Sequence, residues 1–155
     1  VNHTLKRIPA TLEEFSRDLP EYTASPEGAV SGCIGALILM AGDPDTGLEA
    51  MKLLAPGTSE SILRLAKGQL KEAPWLPRSY FSGTAPENGY QLPEEKTISM
   101  ETNLYSGSPE EGSVKIFVGC SGADSSRPVT VTRGDDGAWR PTEWSSLIVG
   151  IRKPL

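Results

Sequence analysis

The spacing of apolar positions along this chain changes once, near residue 74. Before that point apolar residues recur every three or four positions, as on a helix; after residue 97 they alternate, as on a strand. Thr11-Leu12-Glu13-Glu14 has the pattern of a capping box and opens a short helix towards Leu19. Ser25-Pro26-Glu27 combines an N-cap, a proline at the first helical position and an early acidic residue, and opens a helix over 26–41. Ala29, Val30, Cys33, Ile34, Leu37, Ile38 and Met40 leave that helix almost without a polar face, so its neighbours must bury it. Gly28, Gly32 and Ala36 form a small-residue seam along it where another backbone can come close. Asp43-Pro44 repeats the cap signal for a helix through Leu48, Met51 and Leu54, which Pro56-Gly57 ends. Thr58 or Ser59 then caps a fourth helix with Ile62, Leu63, Leu65, Ala66 and Leu70 inward and Arg64, Lys67 and Lys71 outward.

Residues 74–94 show neither period, and their prolines and aromatics suggest an ordered loop over the core rather than a flexible linker. In the alternating half, Ile98, Met100, Thr102 and Leu104 share one face, and Val114, Ile116, Val118 and Cys120 share another. Val129 and Val131 follow, and the turn Gly134-Asp135-Asp136-Gly137 leads into a return strand at Ala138-Trp139-Arg140. Leu147, Val149 and Ile151 read as a last strand. Alternation with short connections predicts an antiparallel sheet with one face buried. The expected class is α+β. About four short N-terminal helices pack on a C-terminal antiparallel sheet of about five strands. The chain, 1–155, reads as a single domain: a helical half at 10–73, a proline and aromatic loop at 74–94 and a sheet half at 97–153.

Composition narrows the chemistry. The 155 residues are 37% hydrophobic and 23% charged, with 16 glycines and 13 prolines, which describes a loop-rich globular protein. The net charge of −5 is spread over both halves, and no more than two Lys or Arg stand together, so the cationic footprint of a nucleic-acid binder is missing. The longest uncharged apolar run, Gly28 to Gly42, is too short for a membrane-spanning helix, which needs about 20 residues. With no leader pattern at its start, the chain reads as cytoplasmic. Cys33 and Cys120 fall in apolar stretches and read as unpaired buried thiols. Two Cys and one His cannot make a four-ligand zinc site, and no cofactor or metal is implied.

His3 is the sole histidine and is expected to fray with the terminus, which leaves nucleophilic triads without a base. No phosphate-cradling glycine motif follows a strand. The acidic pairs Asp135-Asp136, Glu110-Glu111 and Glu94-Glu95 sit in polar turns and read as solvated charges. The most unusual segment is GCSGADSSRP, Gly119–Pro128, where Asp124, Ser125 and Arg127 stand among small residues before a strand. Such residues, with exposed backbone N–H groups, can bind an anion or polar ligand. The plainer alternative is a tight connection in which Asp124 and Ser125 bond their own backbone and Arg127 pairs a carboxylate. The second candidate is Trp75 with Arg78 and Tyr80 on the proline-rich loop. It offers a recognition surface or, more plainly, a cover for the sheet edge.

GCSGADSSRPVTV (Gly119–Val131), EWSSLIVGIRKP (Glu143–Pro154), LPRSYFSGTAPENGY (Leu76–Tyr90) and ATLEEF (Ala10–Phe15) resemble an uncharacterised bacterial family of domains of unknown function. The resemblance spans most of the chain and implies a single bacterial intracellular domain; it carries over no catalytic residue. Taken together, the leading expectation is a non-enzymatic interaction domain that binds another protein through loops 74–90 and 119–128, with Trp75, Arg78, Tyr80, Asp124, Ser125 and Arg127 as candidate contacts. The competing expectation is a small-molecule-binding protein or enzyme with Asp124, Arg127 and Arg78 converging in a polar pocket. A homo-oligomer through the sheet edge or the aromatic loop is a third.

Overall fold

A computed structural model describes residues 1–155. The chain begins with a three-residue strand, β1 (Asn2–Thr4), and continues through four helices: α1 (Leu12–Tyr22), α2 (Pro26–Gly42), α3 (Pro44–Leu54) and α4 (Glu60–Glu72). Each helix starts where a side chain can accept an otherwise orphaned backbone N–H. Thr11 accepts from Glu14, Ser25 from Gly28, Asp43 from Thr46 and Ser59 from Ile62, at 3.1, 3.0, 3.4 and 3.3 Å. Ser59, rather than Thr58, caps the fourth helix.

Helix α2 is the centre of the molecule. It packs against α1, α3 and α4, and also against β4 (Ser113–Val118), β5 (Arg127–Arg133) and β6 (Trp139–Glu143). Residues 28–37 of α2 are buried without a break. Glycine makes the close approaches possible. A Cβ at Gly32 would lie 2.8 Å from the Tyr22 ring of α1, and one at Gly47 of α3 would lie 2.1 Å from the Cα of Met40. Here two helical backbones touch.

Two further strands, β2 (Thr97–Glu101) and β3 (Gly107–Ser108), complete the sheet. Its order is β1-β2-β4-β5-β6, all antiparallel, with β3 sharing the edge of β4 that β2 also uses. Ile98, Met100, Val114, Ile116, Val118, Val129, Val131 and Trp139 turn inward and join the helices in one cluster of 32 buried residues. Burying each side chain of that size contributes about 1.5–3 kcal/mol. The α+β class and the helices-then-sheet order are as the periodicity predicts.

Four local expectations are corrected. Helix α1 runs past Pro20 to Tyr22: the proline removes one donor in the last turn, but the Thr23 N–H still bonds Leu19 and the Tyr22 ring is anchored in the core. His3 does not fray, because β1 pairs with β2 in register Asn2↔Ser99 and His3↔Ile98. The strand through Leu104 stops at Glu101, and Leu104 is 95% exposed. Residues 147–151 are not a strand. Ser145–Ile148 form a 3-10 turn, and Trp144, Leu147 and Ile148 are all buried, a spacing of three and four that belongs to a helical turn.

Candidate functional site

Three segments distant in sequence meet at one end of the molecule: the aromatic loop 74–94, the small-residue loop 119–126 and the tail 144–155. Hydroxyl groups join the first two. The Ser121 N–H donates to the Ser79 carbonyl at 2.8 Å and the Ser121 hydroxyl to the same carbonyl at 3.1 Å. Thr84 Oγ1 lies 2.8 Å from Ser121 Oγ and donates to Phe81 O at 2.7 Å. Ser79 donates to Leu76 O and sits 3.4 Å from the Cys120 thiol. Small hydroxylated residues suit this role because they satisfy backbone carbonyls over short distances.

The tail is held by the aromatics and arginines that stood out in the sequence. Tyr80, 1% exposed, donates its hydroxyl to Leu147 O at 2.6 Å. Burial, with Cys120 nearby, pushes that hydroxyl well above its ordinary value, so it remains a donor across the physiological range. Tyr90 is fully buried in the left-handed backbone region, φ 56°, and donates to Arg152 O at 2.6 Å. A non-glycine residue there is uncommon, and the surrounding contacts hold it. Trp75 stacks on its ring at 5.3 Å, and Gly122 leaves room for its hydroxyl, since a Cβ there would come within 2.5 Å. The Arg152 N–H closes the knot on Gly122 O at 2.8 Å, and Leu155 reaches Pro86 O at 2.9 Å.

The sequence candidates thus fall on one structural unit, but its charged members each have a partner of their own. Asp124 is exposed and accepts from Arg152 at 2.8 Å; Arg127 donates to Gly150 O at 3.0 Å; Arg78 donates to Gly89 O at 3.4 Å. Arg127 therefore bonds a carbonyl rather than the carboxylate expected of it. Ser125 is exposed on the same loop. None of the five main concavities is lined by Asp124, Arg127 or Arg78. Of the other candidates, Trp75 borders a groove of about 600 Å³, with Glu72, Leu76, Ile148, Ile151 and Lys153 among its walls, and Tyr80 borders a smaller concavity of about 190 Å³ with Cys120 and Ser121. Cys33 and Cys120 are both unpaired, and burial raises the Cys33 thiol far beyond reactivity. No helix is long and apolar enough to cross a membrane.

Two features escaped the sequence reading. One is the turn at Asn103–Ser106, which carries Leu104 and Tyr105 at 95% and 91% exposure. The signal was Asn103: its Oδ1 accepts the Tyr105 N–H at 2.8 Å and bends the chain out of the strand. The other is a cavity of about 280 Å³ beside α1, whose walls include Lys6, Arg7, Asp18, Glu21 and Tyr22. Asp18 and Glu21 stand three apart on α1 and take Arg7 and Lys6 as partners.

A family model described as Domain of unknown function (DUF6935) matches residues 7–155. The chain belongs to that family. The match takes in all four helices, every strand but β1, and the whole knot of loops and tail. The four segments on which the family resemblance rested lie inside it. No curated protein and no solved structure matches the chain.

Proposed function

We propose that the chain is a non-enzymatic protein-interaction domain of the bacterial cytoplasm, and that the turn bearing Leu104 and Tyr105 is its docking element. The exposure of that adjacent pair carries the reading. Elsewhere within the fold the large apolar side chains reach at most 43% exposure, and the remaining strongly exposed ones are the terminal Val1 and Leu155. The pair is also held in place. Besides the Asn103–Tyr105 bond, Ser106 is buried, its hydroxyl accepts the Asn103 N–H at 2.9 Å, and its carbonyl accepts the Lys115 N–H of β4 at 2.8 Å. A preorganised apolar anchor loses little freedom on binding, and a tyrosine buried at an interface is often among its strongest contributors, about 2 kcal/mol or more.

The flanking charge indicates the partner's chemistry. Glu101, Glu110 and Glu111 stand on the segments entering and leaving the turn, against Lys115 and Arg133 on the neighbouring strands. The N-terminal ammonium lies 3.8 Å from Glu101, which leaves Glu110 and Glu111 as the carboxylates without an ion pair, and a protein with an apolar socket rimmed by Lys or Arg fits them. The cytoplasmic setting is supported by the two unpaired cysteines, which suit a reducing compartment.

A photo-crosslinking amino acid in place of Tyr105, expressed in the source cells, tests the reading. The expected result is a discrete adduct that is absent when the same group replaces Lys52 on α3 and is lost when Leu104 is also changed to Ser. Identical patterns from the two positions, or no adduct from Tyr105, would overturn it.

A further inference from the structure

The groove at Trp75 is built from cation-rich segments of an acidic chain. It lies between the end of α4, the loop at Trp75 and the tail, and encloses about 600 Å³. Ala73, Trp75, Ile151 and Pro154 are only partly buried there and present accessible apolar surface, with Leu76 and Ile148 buried beneath them. The Trp75 ring is stacked on the buried Tyr90, so this wall is ordered before anything binds. The segments that form the groove, 62–78 and 144–155, contain Arg64, Lys67, Lys71, Arg78, Arg152 and Lys153 against Glu72 alone, in a chain whose net charge is −5. Lys67 and Arg152 are taken by Asp45 and Asp124, and Arg78 by the Gly89 carbonyl. Arg64, Lys71 and Lys153 are exposed and no carboxylate of the chain pairs with them.

The segment bearing Leu104 and Tyr105 is the complement of that groove. Over 101–112 it contains Glu101, Glu110 and Glu111 and no cation. Its two large apolar side chains rest on nothing in their own chain, at 95% and 91% exposure. They are also placed away from the groove. The turn is tied to β4 at Lys115, which faces Thr130 of β5, whereas Gly150 of the groove wall accepts from Arg127 at the opening of β5. Three residues of strand, about 10 Å, separate the two attachments. Each copy therefore presents an empty groove and an unseated turn together.

We infer that the occupant of this groove is the Leu104–Tyr105 turn of a second copy of the chain. The inference rests on the docking role proposed above for the turn, and names its partner. The leucine and tyrosine meet Trp75 and Ile151, while Glu110 and Glu111 face the Lys71 and Lys153 ammonium groups. The groove volume is within the range of roughly 300–1,000 Å³ that accommodates a small molecule, which is room for two side chains. Two copies can exchange turns about a two-fold axis and close, or pass them head to tail into a ring or filament.

The test uses the purified chain with a photo-crosslinking amino acid in place of Tyr105, irradiated with no other protein present. The expected result is an adduct of twice the chain mass, its crosslink mapped by peptide mass spectrometry to residues 69–76 or 148–154. Sedimentation equilibrium of the unmodified chain should show a mass that rises above the monomer with concentration. Tyr105→Ser and Lys153→Glu should each weaken that association about tenfold or more, the first by removing the anchor and the second by setting like charges together. A chain that stays monomeric and gives no adduct would overturn the inference. So would an adduct mapped outside both segments, or an association indifferent to both variants. If the purified chain is silent while Tyr105 still captures a different protein in cells, the turn docks elsewhere and only this choice of partner falls. Silence in both settings removes the docking role as well. The crosslink map needs a change only at the exposed Tyr105, so it decides the matter even if Lys153→Glu does not fold.

Discussion

Two stretches of this chain carry tyrosines outside its α-helices and strands, and the fold treats them oppositely. The loop at 74–94 buries Tyr80, Phe81 and Tyr90 to 1% exposure or less, while the turn at 103–106 leaves Tyr105 91% exposed. Aromatic content does not separate them. Each buried tyrosine has a carbonyl of the tail waiting for its hydroxyl, Leu147 for Tyr80 and Arg152 for Tyr90. Tyr105 has no such partner; only its backbone N–H is bonded, to Asn103. In the loop at 74–94 both the apolar body and the polar end of each tyrosine are provided for, as is usual for a buried tyrosine; Tyr22 of α1, buried with an unpartnered hydroxyl, is the exception in this protein. The first loop is therefore architecture, and the second is free for recognition.

Substitution of the two tyrosines gives the largest contrast. Tyr90→Ala removes a fully buried ring, its stacking on Trp75 and its bond to Arg152, and should cost about 3–5 kcal/mol of stability. Tyr105→Ala should change stability by about 0.5 kcal/mol or less. Equilibrium urea denaturation of the two variants measures both. Comparable losses would mean that the turn is part of the packed structure after all.

The same contrast explains what could be read from the residues. The helices were legible because their signals are local: a cap such as Ser25-Pro26, then an apolar pattern, then a stop. Strands β4 and β5 were legible by alternation. The misread parts are those whose partners are remote. β1 has three residues and exists because Ser99 lies opposite Asn2. The tail after Trp144 is shaped by Tyr80, Tyr90 and Gly122, so its alternating Leu147, Val149 and Ile151 were misleading. For the candidate site, the loop residues Asp124 and Arg127 were conspicuous, yet only packing reveals that both serve the tail.

An intermediate effect should come from the helical side, where acid pH probes the rim of the cavity beside α1. The Arg7 guanidinium hydrogen-bonded to Asp18 holds its carboxyl below the ordinary value of 3.8, outweighing the opposite effect of burial. The folded protein thus keeps this carboxylate ionised further into acid than the unfolded chain does. The pair contributes its full stabilisation above pH 3.8, and that contribution is lost as the pH falls through the lower native value. Denaturation of the wild type and Asp18→Asn across the acid range should show a gap that is constant from neutrality down to about pH 4 and closes below it. A gap that stayed constant through the acid range would show that the pair does not persist in solution.

The smallest effect on stability, and the sharpest test of the exposed turn, is Asn103→Ala. The Asn103 carbonyl oxygen holds the Tyr105 N–H at 2.8 Å on an exposed segment, where water can replace it. Stability should fall by about 0.5 kcal/mol or less. The turn would nonetheless lose the bond that fixes how Leu104 and Tyr105 project, and binding would have to supply that order. Immobilising a free side chain costs about 0.5–1.5 kcal/mol, so affinity for the partner caught at Tyr105 should weaken roughly three- to tenfold. Tyr105→Ser, which removes the contact itself, should weaken it further at similarly little cost in stability. If Asn103→Ala leaves affinity untouched while Tyr105→Ser abolishes it, the ring matters and its mounting does not. If neither has an effect, the pair is an incidental exposure and the two loops differ in packing alone.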